Sequence, residues 1–446
     1  MTQGFKLNIY GKCGGQKEDP RCICSDNNKP SDLEVKKVTN IEDVTSFTKY
    51  IHKLRNPGGR TFTLQRDLGN GGTIRSTVGT RVNSIENVTE VSVYYWNGNE
   101  ATPILLGITT KDPKSGNTET KYYGRFGNSA GLSWFSSLVQ NLKELQALDQ
   151  QNCYNNKAVV FNLEGSQSGS FLDGVGSTCI KKTRKVSTVS NSASPPGSEY
   201  IAKSYIINDN DLDTKISRVT YKNQPTDIPL VDFPVDVITL YSYRASDQVP
   251  LMLEFRPSGG GTSSWFYSTN SNGKKWMEHG NGDSFYDGGS DPQPTVQLSE
   301  KLDEVLCKQY GNVTLDFSHI RHSGTYCCNE HSKKEGGGKV SVSEVQVFCA
   351  HRISSQITAY KHSLSGPSVA GIYYKDYATN NRRKISGLPF PMDGIDNIYV
   401  LYCNRNDPQE VGIRKMVMAL FGDGLVVFTI SNQIVLTTLN VDNERK

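Results

Sequence analysis

The sequence has few of the residues, and none of the long apolar runs, that mark several protein classes. It has only 7 histidines, 6 methionines and 4 tryptophans in 446 residues, and its formal net charge is +4. So small a charge generates no strong field for nucleic acid or an anionic membrane surface, and neither partner is expected. The most apolar run, residues 424–430, is far shorter than the about 18 residues of a membrane-spanning helix, so no span is expected.

The N-terminus and the cysteines indicate different compartments. The residues after Met1 lack the apolar core of a signal peptide, so no secretion signal is readable. Ten cysteines are an even number spread along the chain, which favours an oxidising, extracellular environment. Two explanations stay open: the sequence lacks its true start, or the protein is cytosolic with free thiols.

Tyrosine and glycine are abundant, and the chain repeats itself. The 446 residues, 36% of them hydrophobic, are enough for about three domains of ordinary core size. Strand-like triplets recur at intervals of 154 residues: Leu7–Ile9, Phe161–Leu163 and Leu315–Phe317. Further matches at intervals of 154 or 155 residues are Leu148-Asp149 with Leu302-Asp303, Cys153 with Cys307, and Tyr50 with Tyr205 and Tyr360. The repeat predicts three copies, at residues 1–149, 150–303 and 304–446.

Within a copy the periodicity is mainly that of strands. Apolar residues alternate along 231–243, the pattern of a strand that buries one face. At the junctions, leucines return every three or four residues, as in a helix that buries one stripe: Leu142, Leu145 and Leu148, then Leu298, Leu302 and Val305. The predicted fold is mainly β, with three tandem β-sandwich-like modules joined by short helices. The third copy departs from this plan after Cys403.

The cysteines suggest a disulfide framework whose connectivity spacing does not determine. The repeat favours Cys153 with Cys179, and Cys307 with Cys327 or Cys328. Cys349 and Cys403 are both absent from the other copies, which favours a bridge between them. A fully reduced set of thiols stays an alternative.

One grouping has the residue types of a zinc site. Residues 319–331 contain three histidines and two cysteines: His319, His322, Cys327, Cys328 and His331. Zinc takes four such ligands, but adjacent cysteines bind one ion poorly and the spacing differs from that of common zinc motifs. No metal or other cofactor is therefore expected.

No catalytic motif is present. There is no Gly-x-Ser-x-Gly sequence, and the histidines that follow the recurrent tyrosines, His52 and His362, are replaced by Ile207 in the second copy. They are interpreted as core-edge or surface residues. The basic runs 181–185 and 382–384 are interpreted as solvated strand ends, and the aspartates of 209–213 as a solvated turn.

Two further features concern the surface. Trp265 and Trp276 would suit a sugar if both lined one exposed groove, although large side chains in a β-module are more often core. Asn87 and Asn312 begin N-glycosylation sequons, which matter only if the protein is secreted.

Several segments in combination resemble a known group: 324–328, 360–362, 371–374, 385–391 and 398–403. They are similar to a lineage-restricted tandem-repeat family of Theileria-type piroplasm parasites, related in style to the FAINT (frequently associated in Theileria) domain proteins. The similarity is specific over residues 307–408, weaker over 150–290 and faint over 1–149. It implies an exported or surface protein of unknown biochemical role and carries no catalytic residue.

The predicted function is accordingly that of a non-enzymatic repeat protein. It would present variable loops to an unknown protein partner at a host-parasite interface, secreted or at the cell surface, in an oligomeric state that the sequence does not indicate. Two alternatives stay open: a secreted carbohydrate-binding module, and a zinc-stabilised intracellular adaptor.

Overall fold

A computed structural model describes most of the chain, and half of the chain is in strands that form several separate sheets. The described residues are 5–12, 33–55, 57–69, 71–75, 84–125, 133–164, 185–189, 193–208, 213–222, 224–244, 246–317, 324–326, 340–345, 357–364, 368–375, 381–403, 415–421, 424–430 and 435–439. The mainly β fold class predicted from the sequence is confirmed. Among these residues, no helix is long and apolar enough to cross a membrane.

The strands and helices follow one another in three runs along the chain. The first run is β1 (Leu33–Val38), β2 (Phe47–Leu54), β3 (Phe62–Gln65), β4 (Thr73–Arg75), β5 (Ser84–Trp96), β6 (Leu105–Lys111), β7 (Thr118–Arg125), β8 (Ser133–Phe135) and α1 (Glu144–Asn156). The second is β9 (Ala158–Asn162), β10 (Lys185–Val189), β11 (Tyr200–Asn208), β12 (Lys215–Tyr221), β13 (Gln224–Pro225), β14 (Val235–Tyr243), β15 (Ser246–Pro257), β16 (Ser264–Ser268), β17 (Trp276–His279) and α2 (Val296–Tyr310). The third is β18 (Val313–Asp316), β19 (Gly324–Tyr326), β20 (Val340–Val345), β21 (Ile357–Leu364), β22 (Ser368–Lys375), β23 (Arg382–Lys384), β24 (Met392–Asp393), β25 (Asn397–Cys403), β26 (Lys415–Phe421), β27 (Gly424–Ile430) and β28 (Val435–Leu439).

The three large sheets share one strand order. Each contains a series of five neighbouring strands in which the second and third lie side by side, although two or three other strands separate them in the chain. The series are β1-β2-β5-β6-β7, β10-β11-β14-β15-β16 and β20-β21-β25-β26-β27. In the first and third series every neighbouring pair is antiparallel, as is the pair of β15 and β16 in the second.

In the second and third series, the strands that lie between the second and third members in the chain belong to small sheets, and each small sheet contains a parallel pair. β12 pairs with β9, and β22 pairs with β18, both in parallel. Each of these parallel pairs begins directly after a helix, because β9 follows α1 and β18 follows α2. The small sheets therefore lie next in sequence to the junction helices.

The predicted junction helices are confirmed, with small differences at their ends. Leu142 precedes α1, which begins at Glu144 and runs to Asn156. α2 ends at Tyr310 and is followed by Gly311, whose φ of 76° is the left-handed conformation that glycine adopts at little cost. Leu298, Leu302 and Val305 of α2 are fully buried, as their spacing predicts.

Internal contacts group the chain into two compact units. The first comprises residues 1–188, 205–237 and 256–261, and the second comprises residues 189–204, 238–255 and 262–446. The core of the first unit includes clusters around Tyr95 and around Trp96. The core of the second includes clusters around Phe317 and around Trp265. The predicted boundaries near residues 150 and 304 stay predictions.

Candidate functional site

Both junction helices bury an aspartate that pairs with an arginine. In the first unit, Asp149 of α1 accepts hydrogen bonds from Nε of Arg218, at 3.3 Å, and from its Nη2. In the second unit, Oδ2 of Asp303 of α2 lies 2.7 Å from Nη2 of Arg382, and each side chain is 1% exposed. The two aspartates are 154 residues apart, so the acidic member of the pair recurs at the spacing of the repeat.

The two arginines reach their aspartates from different strands. In the parallel pairs, Val219 of β12 lies opposite Phe161, and Ile372 of β22 lies opposite Leu315. Because Phe161 and Leu315 are 154 residues apart, Val219 and Ile372 occupy corresponding positions. The residue before each is Arg218 in β12 and Gly371 in β22. In the second unit the guanidinium comes instead from β23, which pairs with β22.

The Asp303 and Arg382 side chains belong to a buried polar network. The Tyr200 hydroxyl donates to Oδ1 of Asp303 at 2.7 Å, so both carboxylate oxygens are engaged. Nε of Arg382 donates to the Gly197 carbonyl at 3.0 Å, and its guanidinium carbon lies 3.4 Å from the centre of the Tyr373 ring. Its remaining nitrogen, Nη1, is buried and has no hydrogen-bond partner within the described part of the chain.

The electrostatics of the network follow from its burial. Burial raises the pKa of Asp303, and the Arg382 guanidinium opposes that rise. Burial also raises the pKa of Tyr200 well above its ordinary value, and the adjacent Asp303 carboxylate adds to the effect. Burial by itself would lower the pKa of Arg382, but the Asp303 carboxylate stabilises the guanidinium charge, so the pKa of Arg382 is raised. The network is therefore a neutralised ion pair with a protonated tyrosine.

A small cavity adjoins this network in the second unit. Its volume is about 10 Å³, about enough for one water-sized group. Arg382, Asp303 and Gly371 line it, together with Glu199 and Lys384. The last two are partly exposed, and their charged groups lie 3.0 Å apart. The cavity therefore offers a single hydrogen-bonding position.

Arg382 corrects the interpretation of its basic run. The segment 382–384 is predicted as a solvated strand end, yet Arg382 is 3% exposed overall, while Arg383 is exposed. The sequence did contain a signal for this site, because an aspartate recurs beside a buried leucine in both junction helices. A carboxylate on a buried helix face requires a cation or donors, and the predicted helices could have prompted a search for one.

Both histidines of the repeat are buried, so of the two expected positions, at the core edge or at the surface, the surface one is wrong. His52 is 3% exposed and His362 is fully buried. The His362 ring packs against Phe317 with ring centres 5.3 Å apart. Burial lowers the pKa of His362 to about 4, although nearby Asp316 opposes the shift. His362 is therefore neutral in the folded protein at pH 7.

The tryptophans that the carbohydrate alternative requires are buried. Trp265 is 2% exposed and Trp276 is 7% exposed. Trp265 packs against Phe285 with ring centres 4.9 Å apart, and Nε1 of Trp276 donates to the Gly273 carbonyl at 2.8 Å. Their rings form no exposed groove.

The cysteine and zinc predictions fall largely on residues that the structure does not describe. Cys153 and Cys307 are buried and each is disulfide-bonded. Their predicted partners, Cys179 and Cys327 or Cys328, lie outside the described residues, as do Cys349 and the side chain of Cys403, so the pairings stay predictions. The predicted zinc ligands His319, His322, Cys327, Cys328 and His331 also lie outside them. Among the residues that the structure does describe, no group of three or more His, Cys, Asp or Glu side chains could hold a metal ion.

The two sequons have different surroundings. Asn87 is partly exposed in β5 with a φ of 55°, and the hydroxyl of Thr89 donates to the Thr109 carbonyl at 3.2 Å. The Oδ1 atom of Asn312 accepts a hydrogen bond from the Ser368 hydroxyl at 2.7 Å. Thr314 is buried. Asn87 is thus the more accessible candidate.

Comparisons with protein-family models, with curated proteins and with solved structures find no match to this chain.

Proposed function

We propose that the chain is built from three tandem copies of one β-module, each with one large sheet and sandwich-like packing. The strand order common to the three large sheets supports this interpretation. The aspartate–arginine pairs of α1 and α2 support it further, because a buried, paired aspartate at the repeat spacing is expected of duplicated modules.

The proposed function is non-enzymatic protein recognition by an exported or surface protein of the piroplasm repeat family. The observation that supports this proposal is that the copies share a buried feature but differ in how far corresponding strands are exposed. The recurrent acidic residue of the junction helix is buried in an ion pair in both helices. In contrast, residues 118–121 at the start of β7 are exposed, whereas the corresponding strand β16 is mostly buried. A scaffold that keeps its buried ion pair and varies the exposed parts of its strands suits recognition of different partners.

Export and the adaptor alternative are distinguished by the redox state of the ten cysteines. Intact mass of the native protein before and after reduction and alkylation, with zinc measured in the same sample, is expected to show most cysteines oxidised and no zinc. Free thiols with about one zinc per chain would instead favour the intracellular adaptor.

Recognition itself is tested by binding of the full chain to a panel of host-cell and parasite surface proteins. The matched variant replaces the exposed hairpin residues 112–117 with a Gly-Ser turn and leaves both flanking strands intact. A partner that binds the natural chain, and binds this or an equivalent loop variant more weakly, would support the proposal. Turnover of a substrate without any such partner would refute it.

A further inference from the structure

Strand β7 of the first unit has an exposed part with one edge uncovered. Its first four residues, Thr118–Lys121, are all exposed. On one side, β7 pairs with β6 from Thr118 to Gly124 without a register shift. On the other side it pairs with β8, at Gly124 and Arg125 only, and no other described strand lies against it. Within the described part of the chain, residues 118–123 therefore form an open edge.

The backbone groups on this open edge follow from a contact of β6. The Thr109 carbonyl accepts a hydrogen bond from the Thr89 hydroxyl of β5 at 3.2 Å, so it points away from β7. Thr109 lies opposite Thr120 of β7, and these two residues are therefore a non-hydrogen-bonded pair of the ladder. Because such pairs alternate with hydrogen-bonded ones, the N–H and C=O groups of Thr118, Thr120 and Tyr122 point outward.

The turn between β6 and β7 gives the same result. The Asp112 amide donates to the Asn117 carbonyl at 2.8 Å, which makes these two residues a hydrogen-bonded pair. The pair of Thr109 and Thr120 lies three steps further along the ladder. Alternation over an odd number of steps makes it non-hydrogen-bonded, as the Thr89 contact also indicates.

The sequence of the open edge suits pairing with another strand. Residues 118–123 read Thr-Glu-Thr-Lys-Tyr-Tyr, and threonine and tyrosine favour strands. The segment lacks a proline and a β-bulge, two features that commonly protect edge strands. Its two charges, Glu119 and Lys121, are of opposite sign, lie on the same face of the strand and flank Thr120 symmetrically. An identical strand running the other way would therefore meet these charges with their opposites.

We propose that β7 pairs antiparallel with β7 of a second copy of this chain, about a two-fold axis at Thr120. In this register Glu119 lies opposite Lys121 of the second copy, on both sides of the axis. The outward groups of Thr118 lie opposite those of Tyr122 of the second copy, so the hydrogen bonds and the ion pairs form in the same register. Such a self-complementary contact closes as a dimer. The inference does not depend on the proposed recognition of another protein.

Sedimentation velocity of the full chain over a concentration series tests the dimer. We expect a reversible equilibrium between monomer and dimer with a Kd of about 10 to 100 µM, because one pair of edge strands is a small interface. Hydrogen exchange at low and high protein concentration locates the contact. Slower exchange is expected in a peptide that covers residues 118–124 when the dimer forms.

Charge reversal tests whether the second strand is identical. Glu119→Lys and Lys121→Glu each place like charges opposite each other on both sides of the axis, so each should weaken the dimer about tenfold. An equimolar mixture of the two variants should regain the natural affinity, because opposite charges then face each other between the two chains. The control is Glu278→Lys, which reverses an exposed charge in β17 of the second unit and should leave the Kd unchanged.

Thr120→Pro tests the backbone pairing. Proline lacks the outward N–H that bonds across the axis, whereas no hydrogen bond to β6 is lost because that N–H points away from β6. No dimer is expected for this variant up to about 1 mM.

Several results would overturn the inference. One is a natural chain that stays monomeric up to about 1 mM, whether or not a strand of a different protein protects β7 from exchange. Another is a dimer that forms equally well with Thr120→Pro, because the contact would then lie elsewhere. A mixture of the two charge variants that dimerises no better than either variant alone would also overturn it.

Discussion

Replacing Asp303 by asparagine is expected to destabilise the second unit by about 3 to 5 kcal/mol. The new side chain has the same shape, so its amide oxygen can still accept from Tyr200. The guanidinium of Arg382, however, stays buried without a counter-charge. Both side chains are 1% exposed, so water does not replace the lost partner. In a unit of this size the loss corresponds to a fall of about 6 to 20 °C in melting temperature.

Urea unfolding followed by tryptophan fluorescence measures the loss, because Trp265 packs in the same core cluster as Leu298 and Leu302 of α2. Hydrogen exchange of peptides from α1 and α2 locates it. Faster exchange is expected in α2 and not in α1, since the α1 helix has its own ion pair between Asp149 and Arg218.

Two further variants make this reasoning refutable. Glu34→Gln removes one partner of an exposed pair with Lys53 and is expected to cost about 0 to 1 kcal/mol. The double variant Asp303→Leu/Arg382→Met removes both charges of the pair and should cost less than the sum of its two single changes. The reasoning is refuted if Asp303→Asn costs no more stability than Glu34→Gln. It is also refuted if the double variant costs as much as Asp303→Leu and Arg382→Met together, because the ion pair would then not stabilise α2.

The remaining predictions concern acid stability, a close backbone contact and a cation over an aromatic ring. Burial lowers the pKa of His362 from an unfolded value of 6.5 to about 4. The stability that the neutral ring contributes is therefore fully present above pH 6.5 and is lost as the pH falls from 6.5 to about 4. The expected loss is about 3 kcal/mol, and His362→Leu should abolish this part of the pH dependence of the urea midpoint; parallel pH profiles would contradict the assignment. Gly197→Ala should lower the melting temperature, because φ is +57° and the new Cβ would lie 2.5 Å from Arg382 Cγ; an unchanged value would show that this contact relaxes. Lys12→Ala should cost about 0.5 to 2 kcal/mol in urea unfolding, since its ammonium lies 4.2 Å from the centre of the Tyr95 ring, whereas Lys12→Arg should retain most of that stability.

The sequence by itself determined the fold class and the junction helices, because these depend on local periodicity. Alternation along residues 231–243 corresponds to β14, and the leucine spacing before residues 150 and 304 corresponds to α1 and α2. The sequence also contained the recurrent aspartates at 149 and 303, although their role was not evident from it. The large size of their side chains further favoured a buried position for Trp265 and Trp276, and both are buried in the structure.

Only the tertiary structure decided which cation each aspartate meets. Arg218 and Arg382 follow their aspartates at different intervals, 69 and 79 residues, so no fixed spacing could reveal them. Arg382 stands in a basic run that looks solvated, and only the pairing of β23 with β22 directs its side chain toward α2. The cavity beside Gly371 has the same origin, because it exists where a side chain from a neighbouring strand replaces one that the local sequence omits. Local patterns specify which residues a strand buries, whereas contacts between strands distant in sequence specify what those residues bind.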